Sequence, residues 1–347
     1  NYSRISFNVG PTLLSWLEHH APSTYEAILE ADRVSVRRFG RGSAMAQAYG
    51  HAILPLCNDR DRTTQIAWGI ADFRKRFARD PEGLWLPETA VDTPSLETLA
   101  AFGIRYTVLA PSQARRFRAV GADAWSDRSA AVDTRVPYRV PLPSGRDVTV
   151  FFYDGPASRA VAFERLLDDG ASFVARILSG FDDRAGAQLV HLATDGESYG
   201  HHHRFGEMAL AFALDRLESS DDVTLTNYAA FLDAHPPVHE AEIVERSAWS
   251  CAHGVGRWTD DCGCRTGAHP TWSQGWRRPL REALDELRDQ IAQVFEAEGA
   301  SLLRDPWAAR DAYVEVVLQR RSERGVSFLR DHAVADLDEA ARVRALQ

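Results

Sequence analysis

Cysteine is scarce in this sequence, with four among 347 residues, so a disulfide framework cannot carry the chain. No run of about 18 apolar residues is present, which excludes a transmembrane helix. A basic stripe is also missing. Acidic residues outnumber basic ones to give a net charge of −9, and this argues against nucleic acid or an anionic membrane as the main partner. The opening Asn1-Tyr2-Ser3-Arg4-Ile5-Ser6-Phe7 has neither an initiator Met nor a signal-peptide layout. It reads as the middle of a strand, so the sequence is expected to start inside a longer protein or to have had its start trimmed; a cytoplasmic location is expected. Internal repeats and low-complexity tracts are absent, and nothing specifies an oligomeric state.

What is present is enough apolar matter for a large core, 45% hydrophobic and 10% aromatic, and hence a folded α/β chain rather than disorder. Nine Trp on an acidic chain suit a neutral partner such as a polysaccharide. Along the chain, strands are expected at Ser3–Val9, Gly83–Leu86, Ile104–Leu109, Gln188–Ala193 and Thr224–Thr226. A hairpin is expected from Val136–Val140 and Asp147–Tyr153, with Pro137 confining its first strand to an edge. Helices are expected at Thr12–His19, Ser23–Ala31, Asp61–Phe77, Thr93–Phe102, Ala160–Leu166, Ala171–Leu178, His203–Leu217, Leu280–Ala297, Pro306–Leu318 and Asp336–Gln347. This alternation with short joints predicts a mostly parallel sheet wrapped by helices.

Two segments run from an apolar stretch into a carboxylate: Gly83-Leu84-Trp85-Leu86-Pro87-Glu88 and His191-Leu192-Ala193-Thr194-Asp195-Gly196-Glu197. Carboxylates at strand ends are costly to bury unless paired or used, and a pair in one cleft is what glycoside hydrolysis needs. The plain alternatives are a helix cap or dipole partner for Glu88 and a turn residue for Asp195. His201, His202 and His203 follow Asp195, but as neighbours they point different ways and cannot all serve one ion. Cys251, His253, Cys262 and Cys264 supply four potential zinc ligands, although Cys-x-Cys is an unusual ligand spacing. The preferred reading there is a loop packed over the cleft, with no metal or cofactor assigned. A metal centre and a redox-labile pair stand as alternatives, and Cys57 reads as a core residue.

Asn8-Val9-Gly10-Pro11 with Leu13-Leu14, His51-Ala52-Ile53-Leu54-Pro55-Leu56, Trp85-Leu86-Pro87-Glu88 and Ala193-Thr194-Asp195-Gly196-Glu197 occur in the order seen in family 57 of the glycoside hydrolases. The chain resembles that family from about Ile5 to Leu210, and Trp249–Trp276 is similar to a bacterial subgroup with a Cys-rich segment. The resemblance implies an incomplete seven-stranded (β/α) barrel over 1–240. Over 241–347 it implies a Cys/Trp-rich loop and a helical region. It also implies a retaining hydrolase or transglycosylase acting on α-glucan, with Glu88 as nucleophile and Asp195 as acid/base. His51 and Trp85 would line the sugar subsite. Glu197, Tyr199, His202, Trp249 and Trp258 are further candidate sugar contacts. One motif departs from the family: the His-containing first strand does not precede Ser3. Competing readings are a metal-dependent deacetylase-like hydrolase and a non-catalytic carbohydrate-binding protein with a degenerate barrel.

Overall fold

Short strands, several of them leading into a helix, build the molecule. The structure, a computed structural model, describes all residues except 127–130, 265–268, 270, 320–322 and 347. Parts of Trp249–Trp276 and the end of the expected Asp336–Gln347 helix therefore lie outside the described residues. The strands are β1 (Ala46–Gln47), β2 (Leu84–Trp85), β3 (Tyr106–Leu109), β4 (Ala114–Ala119), β5 (Pro137–Pro141), β6 (Asp147–Phe152) and β7 (His239–Ile243). β1 pairs with β2 in parallel, Ala46 opposite Leu84. Single parallel bridges extend that pair, from Phe7 to Ala44 on one side and from Gly83 to Tyr106 of β3 on the other. The five-stranded sheet has the order β3-β6-β5-β7-β4.

This sheet is mixed, not mostly parallel. β3–β6 and β5–β7 are parallel, whereas β5–β6 and β4–β7 are antiparallel. The hairpin is present, but β5 lies between β6 and β7 and not at an edge. Pro137 is tolerated because it is the strand's first residue, and β7 pairs only with Tyr138 and Arg139. Gln188–Ala193 forms no strand. Its backbone bonds are spread over separate partners, Leu189 N–H to Arg135 O (2.9 Å), Asp154 N–H to His191 O (2.9 Å) and Ala193 N–H to the Ser158 hydroxyl (3.0 Å). Ser3–Val9 is reduced to its Phe7 bridge, and Thr224–Thr226 is irregular.

The helices follow their apolar spacing: α1 (Pro11–His20), α2 (Pro22–Phe39), α3 (Asp59–Phe77), α4 (Thr93–Ala101), α5 (Gly155–Phe163), α6 (Gly170–Leu178) and α7 (Gly206–Glu218). Then come α8 (Tyr228–Ala234), α9 (Gly256–Thr259), α10 (Arg277–Gly299), α11 (Pro306–Ala312), α12 (Val314–Leu318), α13 (Arg324–His332) and α14 (Glu339–Ala345). Asn58 and Asp92 cap α3 and α4 through their side chains. Buried Arg76 of α3 donates to Asp72 (2.9 Å), Glu18 (3.0 Å), the Tyr25 hydroxyl (3.1 Å) and the Ser15 hydroxyl (2.8 Å), fastening α1 and α2 to α3.

The main core joins the inner faces of these helices to the sheet through Leu14, Ile66, Ile70, Leu84, Leu96, Val148 and Phe152. A second cluster, with Tyr106, Phe151, Tyr153 and Tyr228, has Trp85 and Trp249 packed against it. The C-terminal helices dock on the outside of α3. Trp68 Nε1 donates to Asp311 O (3.0 Å) and Arg310 pairs with Asp61 (2.8 Å). Among the described residues, no helix is long and apolar enough to cross a membrane.

Candidate active site

Glu88 follows β2 after the buried Leu86 and Pro87. It adopts φ 57°, and Thr89 adopts φ 50°. Two successive residues in the left-handed region, neither of them glycine, cost on the order of 1–3 kcal/mol each and persist only when their surroundings impose them. Those surroundings are specific. The buried Gln113 amide accepts from the Thr89 hydroxyl (2.8 Å) and Ala110 N–H (2.9 Å), and it donates to Thr89 O (2.8 Å) and the Ser247 hydroxyl (3.1 Å). Trp249 N–H is shared between Glu88 O (3.2 Å) and Thr89 Oγ1 (3.0 Å), and Trp249 Nε1 donates to Glu88 Oε2 (3.2 Å). The Glu88 carboxylate is therefore aimed, not free. It is also not the cap of the next helix, since Asp92 caps α4.

Trp249 meets Trp85 edge-on at 5.1 Å and Tyr153 at 6.2 Å. Tyr153 is the residue after β6, and its hydroxyl is pushed up to about 12, chiefly by burial and further by the Asp195 charge. Asp195 begins the short turn Gly196–Ser198, yet its side chain takes no cap hydrogen bond there. Its carboxyl is raised above the usual range, by burial first, then by Glu197 and then by Glu88, while His202 and His51 oppose the rise. As a residue Asp195 is exposed, so solvent screens part of these charge effects even though protein desolvates one side of the carboxyl.

Glu88, Glu197, His202 and His51 thus lie within electrostatic reach of Asp195, while Trp85 and Tyr153 pack edge-on against Trp249, the residue bonded to Glu88. Tyr199 turns elsewhere: its ring packs with the cluster of Val161, Phe173 and Leu210, and its hydroxyl accepts from Thr194 at 3.3 Å. Trp258 packs behind the Glu88 loop with Ile53, Leu56, Ala90 and Val255. The rings of His201 and His202 pack together at 5.0 Å, whereas His203 turns away and hydrogen-bonds Ala162 O at 3.0 Å. His191 is buried between Tyr228 (2.9 Å) and Thr134 O (3.0 Å), and burial lowers it to about 4, making it a neutral core residue.

Cys251, His253, Cys262 and Cys264 converge, all ligand atoms lying within 4.8 Å of one another. Cys57 is apart from them, its thiol facing Ile53 O at 3.7 Å. An open groove of about 910 Å³ lined by Leu167, Arg204, Phe205, Met208 and Phe212 contains neither Glu88 nor Asp195. Three site residues are absent from the sequence-based set. Tyr153 ends an expected strand, so the logic that picked out Glu88 reaches it too. Thr89 and Gln113 carry no pattern of their own.

The glycosyl hydrolase family 57 sequence model matches residues 9–243, and a domain of unknown function (DUF3536) matches residues 272–347. The chain belongs to glycosyl hydrolase family 57. It is 24% identical over 260 residues to an α-amylase of Pyrococcus abyssi, covering 71% of this chain and 36% of that protein. The exo-type maltose-forming amylase of Pyrococcus sp. ST04 shares its fold with a TM-score of 0.73 at 17% identity, over 99% of this chain and 60% of that one. The 4-α-glucanotransferase of Thermococcus litoralis gives a TM-score of 0.57 at 20% identity, over 72% of this chain and 37% of that one. The chain spans about a third of the length of the P. abyssi relative.

Proposed function

We propose that this chain forms the catalytic part of a retaining α-glucan hydrolase or transglycosylase, with Glu88 as nucleophile and Asp195 as acid/base. The observation that carries the reading is the pairing of the two loops. One carboxylate is held by an indole N–H, while the other is pushed toward its protonated form by burial first and then by the charges of Glu197 and Glu88. The division of labour follows from that asymmetry. Trp249 occupies Oε2 of Glu88 and leaves Oε1 to attack the anomeric carbon. Asp195 gives its proton to the departing glycosidic oxygen as that bond breaks. Then, as a carboxylate, Asp195 takes a proton from water or from an acceptor sugar hydroxyl, which displaces Glu88 and restores the starting configuration. Trp85 and Trp249 offer faces and edges to the sugar ring, and His51, Glu197 and His202 rim the site.

The finer architecture is read as an incomplete (β/α) barrel. In support, parallel contacts run from Phe7 through β1, β2 and β3 to β6, and β6 is followed in space by the extended His191 segment. Asn227 Nδ2, just after Thr224–Thr226, reaches Arg41 O (2.8 Å) next to the start of that run. The segment 1–240 would then be the catalytic unit and 241–347 the covering loop and helices.

Product analysis on maltooligosaccharides and glycogen tests the function. Nuclear magnetic resonance of the first products should show the α-anomer. Glu88→Gln should lower kcat about a thousandfold or more. Full turnover by Glu88→Gln, or initial β-anomer, would refute the assignment. Glucan binding by the full-length protein without any turnover would instead indicate a degenerate site.

A further inference from the structure

We propose that Cys251, His253, Cys262 and Cys264 bind a structural zinc ion that fastens the segment following Trp249 to the Cys262–Cys264 turn. This goes beyond the glucan reading and stands without it.

The geometry is that of a coordination sphere. Tetrahedral zinc with bonds of about 2.3 Å to sulfur and about 2.0–2.1 Å to imidazole nitrogen sets ligand separations near 3.8 Å for S···S and near 3.6 Å for S···N. Cys251 Sγ lies 3.6 Å from Cys264 Sγ and 3.6 Å from His253 Nδ1, and Cys264 Sγ lies 3.5 Å from His253 Nδ1. Cys262 completes the set within the same 4.8 Å. A disulfide would need sulfurs about 2.05 Å apart and would use only two of the three thiols.

The backbone makes both tight ligand pairs work, which the sequence spacing alone did not suggest. Gly263 (φ 77°) turns the chain between Cys262 and Cys264. Gly254 (φ 57°) turns it after His253, where a Cβ would stand 2.1 Å from Arg246 O. Donors are already aimed at the sulfurs: His253 N–H lies 3.4 Å from Cys251 Sγ, and the Arg277 guanidinium lies 3.6 Å from Cys262 Sγ. Such outer donors offset the charge of three thiolates around one divalent ion. The donor set selects a soft or borderline metal over calcium or magnesium. Four protein ligands leave no open position, so the ion is structural and not catalytic. Binding forms three Zn–S bonds and one Zn–N bond, and the thiol protons pass to solvent.

The test uses the intact chain expressed with zinc in the medium. Inductively coupled plasma mass spectrometry should find about one zinc per chain, and zinc-edge X-ray absorption should show three sulfurs and one nitrogen. Cys264→Ser should lower zinc retention on dialysis more than tenfold, while Cys57→Ser should keep it. The proposal is overturned by native protein that stays zinc-free after equilibration with zinc. It is overturned equally by a disulfide among these cysteines, by an oxygen-dominated shell, or by zinc lost in Cys57→Ser. The absorption measurement on native protein decides the matter even if Cys264→Ser fails to fold.

Discussion

At Asp195, burial and two neighbouring carboxylates act in the same direction. Each disfavours the charged form, so the proton is held to higher pH than a free aspartate would hold it. If Asp195 is the acid of the proposed mechanism, that acid is present below the raised value and lost above it, so the alkaline limb of kcat/KM is expected to follow Asp195. The sign for stability is the same: this carboxyl favours the folded state at low pH, and the contribution is lost as pH rises through its raised value. Glu197→Gln removes the largest charge effect and should shift the alkaline limb to lower pH; a pH–rate profile with an unmoved limb would remove Glu197 from the site. Trp249→Phe keeps the ring but deletes the donor to Glu88 Oε2. Losing one hydrogen bond to a charged group, worth about 1.5–3 kcal/mol, should reduce kcat on the order of tenfold or more, with the melting temperature little changed. The sequence singles out Glu88 and Asp195 because a carboxylate after an apolar run is unusual in itself. It does not show how Tyr199 and Trp258 pack. Aromatic residues near a motif look alike whether they face a sugar or a core, and here both pack into apolar clusters.

The elements that hold Glu88 are a turn, a glutamine and a returning loop, and only the turn left a trace in the sequence. Gln113 spends every polar atom of its amide on backbone and hydroxyl groups of three segments, those at Thr89, Ala110 and Ser247. Gln113→Leu should strand Ala110 N–H and Thr89 O in the interior. That should destabilise the fold by about 2–4 kcal/mol, read from the urea midpoint, with activity falling further than stability because the left-handed Glu88–Thr89 pair is released. A variant with native stability and activity would show that the strap is ornamental. Most helices were read from a local signal, capping residues and a 3.6-residue period, but α2 continues to Phe39 past the expected Ala31, α5 starts at Gly155 rather than Ala160, and α8 and α13 were not expected. Strands fared worse at Gln188–Ala193, whose apolar run is real but whose hydrogen bonds go to Arg135, Asp154 and Ser158 instead of one neighbour. Pairing is a long-range property, so local alternation could not place β5 inside the sheet or find the antiparallel β4–β7 edge.

For the molecule as a whole, α10 presents a problem that its own chain leaves unsolved. Leu280, Leu284, Leu287, Ile291 and Val294 recur at helical spacing and are all about half exposed or more, from 49% to 62%. Contact with the rest of the fold runs elsewhere, through Arg281, which reaches Leu56 O at 2.5 Å, and through the Phe295 ring, 4.8 Å from that of Trp307. An amphipathic face of this kind normally covers a core, and left open it is an association hazard. Polar substitution there should cost little folding stability, within about 0.5 kcal/mol per site, because the side chains are already in water. Leu284→Glu combined with Ile291→Lys should therefore raise the solubility of this 347-residue chain and lower its binding of a hydrophobic dye. The acid introduced at position 284 lies four residues before Arg288 and the base introduced at position 291 three residues after it, so the attraction of the first offsets the repulsion of the second. Unchanged glucan turnover in that variant would separate the helical face from the chemistry at Glu88. A large loss of folding stability would instead mean that the stripe is covered in solution, and that the exposed face is part of the core.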